Sequence, residues 1–125
     1  MTQVDATHLA AQGHQIRELQ DLVTLILKQL PRVQPWARQL AAHLDGVDRQ
    51  IRVLGMTVSL KRSTGEIYQA AENVVGSCRL TRAALAGSRV DMTTLAALVL
   101  VGSLAERIQH AFSPTYKPEA TALSS

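Results

Sequence analysis

Residues 35–62 read PWARQLAAHLDGVDRQIRVLGMTVSLKR, and the apolar positions within them decide the fold. Trp36, Leu40, Leu44, Val47, Ile51, Leu54 and Val58 follow one another at spacings of 4, 4, 3, 4, 3 and 4. That alternation returns to one side of a 3.6-residue turn, so the stretch is an amphipathic helix with one face to bury. Pro35 suits a first helical turn, where its missing amide hydrogen costs no ladder bond. On the other face Asp45 precedes Arg49 and Asp48 precedes Arg52 by four residues, the favourable order for ion pairs along a helix.

Upstream, Leu9, Ile16, Leu19, Val23, Ile26 and Leu30 keep a seven-residue pattern in which Gln12 fills the one gap. They predict a helix over about 5–30, with Asp5 or Thr7 as its cap and Pro31 as its stop. Downstream, Ser63 and Thr64 are cap residues, and Glu66 stands three places after Ser63 as in a capping box. The stripe Ile67, Ala71, Val74, Cys78, Thr81 and Leu85 then predicts a third helix over about 66–86. Gly87-Ser88 breaks it, and Asp91 caps a fourth helix over about 91–112. Residues 113–125, with Pro114 and Pro118, have little to bury and are expected to form a flexible tail.

Four long helices joined by short connections favour antiparallel neighbours. The expected fold is therefore all-α, a single helical domain over 1–112 built as an antiparallel four-helix bundle. The alternative is a set of helical hairpins, coiled-coil in character, completed by oligomerisation with another chain.

Composition narrows the function classes. With 46% apolar residues in 125, the chain can bury a core, and its single cysteine rules out an internal disulfide framework. The longest uncharged apolar run, Leu95 to Ala105, is shorter than the ~20 residues of a spanning helix. Met1-Thr2-Gln3-Val4-Asp5 has no basic region leading into an apolar one, so the expected compartment is the cytoplasm, with export by a route needing no signal peptide left open. There is no Gly-x-Ser-x-Gly elbow, phosphate loop, dinucleotide fingerprint or His-Glu-x-x-His, and the chain is expected to be no enzyme and to need no cofactor or metal. Glu106 and His110, four apart, make half a metal site at best. Cys78, on the third stripe, is expected to be a small buried hydrophobe, and Trp36 a packing residue at the first corner.

Two features point to binding. The fourth helix is apolar around nearly its whole circumference, whereas a peripheral bundle helix should show a polar face. Partner burial is expected there, with Leu98, Val101, Gly102, Leu104 and Ala105 as interface residues, Gly102 and Ala105 permitting close approach. Residues 49–89 also hold seven basic residues against two acidic ones. Arg79, Arg82 and Arg89 are candidate anion-binding residues within that zone, for a phosphate-bearing surface or nucleic acid. The chain's 3% aromatic content gives single strands few stacking platforms, and a helix after Arg89 with almost no polar side chains suits base reading poorly.

Trp36 near a helix-helix turn and the later Tyr68-Gln69-Ala70-Ala71-Glu72, a Tyr-x-x-x-Glu, resemble in part the marks of small helical proteins exported by type VII secretion. That resemblance implies a helical hairpin carried out of the cell. The sequence departs from the family pattern in having Trp36-Ala37-Arg38 where Trp-x-Gly stands, and in placing two more helical segments around and beyond the hairpin. The leading expectation is a non-enzymatic interaction protein acting by helix-helix association, as homo-oligomer, adaptor or assembly subunit. A basic nucleic-acid or phosphate-surface binder and a small exported protein are the alternatives.

Overall fold

A computed structural model describes residues 2–113, with side chains from residue 10 onward. Those residues form four helices and no strand: α1 Thr2–Gln29, α2 Pro35–Ser59, α3 Thr64–Ala84 and α4 Met92–Ala111. The expected tail over 114–125 and the side chains of Asp5, Thr7 and Leu9 lie outside the described residues. Helix α1 starts at Thr2 rather than near Asp5, since no Pro or Gly interrupts the ladder before it.

Among the described residues the backbones of α1 and α2 run side by side, as do those of α2 and α3, α3 and α4, and α4 and α1. The helices therefore close a ring around one core, and the short connections run consecutive helices in opposite directions. Ile16, Leu19, Val23 and Ile26 of α1 meet Leu40, Leu44, Val47, Ile51 and Leu54 of α2 there. Ile67, Ala71, Val74 and Cys78 of α3 and Leu98, Val101, Ala105 and Ile108 of α4 complete it. Gln12 occupies its heptad place in this core, but its buried Oε1 has no hydrogen-bond partner among the described residues.

Each connection has a local cause. Between α1 and α2 the Gln34 amide donates to the Pro31 carbonyl at 2.9 Å, and Arg38 donates to the carbonyls of Arg32 and Val33 at 3.0 and 3.2 Å. Helix α2 stops at Ser59, earlier than the expected Arg62, because Lys61 takes a left-handed conformation with φ 54°. The Arg62 amide then reaches the Thr57 carbonyl at 3.2 Å and the Lys61 amide the Val58 carbonyl at 3.0 Å. This is the Schellman pattern, here with lysine where glycine is usual. The next helix starts at once. The Ser63 hydroxyl accepts from the Glu66 amide at 3.2 Å and donates to the Glu66 carboxylate at 3.0 Å, while the Arg62 guanidinium holds the same carboxylate at 3.1 Å. Those two side-chain partners keep the Glu66 carboxyl below its ordinary pKa. At the end of α3 the Ser88 amide closes a turn on Leu85 at 3.0 Å, with Gly87 at φ 82° supplying the left-handed residue.

Of the two ion pairs expected along α2, Asp48 and Arg52 meet at 3.0 Å, whereas Asp45 and Arg49 form none. No described helix is long and apolar enough to cross a membrane.

Candidate functional site

Helix α4 is fixed at its start by Asp91, whose carboxylate accepts from the Thr94 amide at 2.7 Å. That backbone bond, favouring the charged carboxylate, lowers the Asp91 pKa. From there each residue advances ~100° around the axis. Leu98, Val101, Ala105, Ile108 and Phe112 thus share one side, and all are buried in the chain's own core. The opposite side carries Met92, Leu95, Ala96, Val99, Leu100 and Ser103, spaced 3, 1, 3, 1 and 3. Its four large side chains are 80%, 40%, 47% and 59% exposed in that order. Over the ~30 Å of a 20-residue helix, the outer stripe holds no charge until Glu106.

Of the five expected interface residues, Leu98, Val101 and Ala105, each 4% exposed or less, are buried in the chain's own core. Gly102 and Leu104 lie half-buried on the flanks, and a Cβ added to Gly102 would meet nothing within 4 Å, so no helix of the chain uses it for close approach. The residues that remain outside are Met92, Leu95, Val99 and Leu100, none of them among the five expected. Their signal was present at the helix end: once Glu106 and Arg107 begin the charged portion, only Ile108 and Phe112 continue an apolar side, and stepping back from them by 3 and 4 gives Ala105, Val101 and Leu98 as core.

The arginines are partly brought together. Arg79 and Arg82, both exposed on α3, line a groove of about 480 Å3 at the α3–α4 turn with Gly87, Ser88 and the apolar Leu85 and Leu95. Arg89 stands in the turn but outside that lining. Glu106 of α4 approaches Arg79 to 3.5 Å, so the groove's charge is partly compensated, as is that of Arg52 by Asp48 and of Arg62 by Glu66. With Glu106 turned to Arg79, no group of three His, Cys, Asp or Glu among the described residues is arranged to hold a metal.

Cys78 is buried beneath α3, and burial, reinforced by the charge of Glu106, pushes its pKa up to about 11. The thiol is thus neutral and shielded at ordinary pH, the reverse of a reactive thiolate. Trp36 packs against the core where α2 begins, and the Gln39 amide reaching the Ala84 carbonyl at 3.5 Å places that end of α2 beside the end of α3. Tyr68 sits at the other end of the bundle, its hydroxyl accepting from Gln109 at 3.5 Å. The two side chains that carry the partial family resemblance are therefore at opposite ends of the fold.

Compared with known family models, with curated proteins and with solved structures, the chain has no significant match.

Proposed function

We propose that the chain is a non-enzymatic interaction protein that works by helix-helix association through the outer face of α4, first with a second copy of itself, as the building contact of an assembly. The observation that supports this is the pair of opposed apolar sides on one helix. One side is spent on the core, and the other leaves Met92, Leu95, Val99 and Leu100 side by side in water. Scattered exposed apolar residues are ordinary on a monomer, but a continuous uncharged stripe along a helix marks a contact surface. At ~25 cal/mol per Å2, covering a few hundred Å2 of it contributes several kcal/mol before the cost of association.

Ser103, exposed at the end of the stripe, allows a direct test. A polarity-sensitive dye attached to Ser103→Cys is selective because Cys78 is shielded. It should shift to the blue as protein concentration rises, and addition of unlabelled Val99→Glu protein should leave the dye unshifted. Emission that stays at its dilute, water-exposed position at every concentration would contradict association through this face.

A further inference from the structure

Between α1 and α2, on the flank away from α4, the bundle carries a second surface. Helices α1 and α2 each place a glycine at this seam. A Cβ on Gly13 would meet nothing within 4 Å, and one on Gly55 only the Ile16 methyl, Cγ2, at 3.8 Å. The missing side chains open a cleft of about 770 Å3 whose floor is the buried pair Ile16 and Ile51 and whose lip is the exposed Met56. Among the described residues three cations line it, Arg17 from α1 and Arg52 and Lys61 from the α2 side, and no carboxylate does. Arg52 is held at 3.0 Å by Asp48, while Arg17 and Lys61 make no ion pair among the described residues.

We propose that this cleft docks an acidic amphipathic helix of a partner protein. The cations are strung along the cleft rather than gathered at one end. Arg52 lies within α2 and Lys61 in the left-handed turn just past its end at Ser59, while Arg17 enters from the facing helix, where its neighbour Ile16 meets Gly55. A single-headed anion does not span from Arg52, seven residues before the last helical residue Ser59, to Lys61 beyond it. A helix of two to three turns engages all three, laying its apolar ridge on Ile16 and Ile51 and its flanking carboxylates along both walls. A bilayer surface is too flat to reach a floor recessed between two helices, and the lining offers no aromatic ring to stack a base. Because no residue of α4 lines this cleft, an occupant here leaves the α4 stripe free. The two surfaces together would let one chain bridge its own copies to a different protein, and neither claim depends on the other.

The probe is a fluorescein-labelled amphipathic peptide of roughly 18 residues with Leu on one face and Glu along both edges, read by anisotropy at low salt beside a twin carrying Lys for Glu. The Glu peptide should bind and the Lys peptide should not. Arg17→Glu should weaken binding about tenfold or more. Gly13→Leu, which fills the cleft from an open position, should abolish binding while its melting temperature stays at or above that of the parent protein. Equal binding of the two peptides, or undiminished binding to a folded Gly13→Leu variant, would overturn the proposal. So would retention of the protein on phosphatidylglycerol vesicles with no affinity for the Glu peptide, which would reassign the cations to a membrane surface.

Discussion

Val99 and Val101 stand two places apart on α4, ~200° around the axis, and the same substitution should do opposite things at them. Val101 is 2% exposed. Replacing it with Glu removes ~1.5–3 kcal/mol of apolar burial. The new carboxyl must then stay neutral in the core. Protonating it at pH 7 against a free value near 4.3 takes about 2.7 pH units at 1.36 kcal/mol each, a further ~4 kcal/mol. The sum, ~5–7 kcal/mol, rivals the ~5–15 kcal/mol by which a domain of this size is stable. Because the folded-state pKa is raised above the unfolded one, the second contribution shrinks as pH falls towards 4.3, and Val101→Glu should regain part of its stability there. Val99→Glu places its charge in water and should cost the folded chain ~0.5 kcal/mol or less. Circular dichroism melts of both variants at pH 7 and pH 4.5, at several concentrations to separate association from folding, decide the matter. A Val101→Glu protein that melts like its parent at pH 7 would refute the assignment of the two sides of α4.

Further predictions concern the connections and the thiol. Lys61→Gly relieves a left-handed backbone at φ 54° and should raise stability by ~0.5–1 kcal/mol, whereas Gly87→Ala at φ 82° should lower it by ~1–2 kcal/mol; the sign of each change in melting midpoint is the check. Asp91 has a lowered folded-state pKa, so the stability it lends to α4 is present above the ordinary aspartate range and lost as pH falls through the lowered value. The melting difference between parent and Asp91→Ala should therefore vanish on acidification, and a pH-independent difference would contradict the cap. Cys78 should fail to react with a chromogenic disulfide at pH 8 until denaturant is added, and prompt stoichiometric reaction of the native protein would contradict its burial.

The helices and their buried sides were legible because α1, α2 and α3 each carry one apolar stripe against a polar remainder. Helix α4 was legible as a helix, but its phase shows only in the charged last turns and not in the apolar run itself. Leu95 to Ala105 offer apolar residues in every direction, and a pattern with no contrast does not say which side faces in. Tertiary packing into the core shared by the four helices chose Leu98, Val101 and Ala105. The end of α2 was misplaced because it rests on Lys61 in a left-handed conformation, and lysine gives no notice of a stop that glycine would. The basic excess of residues 49–89 was visible as a count, but a count cannot tell that Glu106, distant in sequence, leans on Arg79. The α1–α2 cleft escaped for a related reason. Gly13 and Gly55 are unremarkable in their own helices and create space only when antiparallel packing sets them across one seam.

The central claim is that the outer stripe of α4 is a contact between copies. Absolute mass by light scattering during size-exclusion chromatography, at low and high salt, tests it most directly. The protein should run as a defined oligomer that persists in high salt, because the stripe from Met92 to Ser103 holds no charge to screen, and Val99→Glu should convert it to a folded monomer. A parent protein of 13.6 kDa at every concentration and both salts would contradict it.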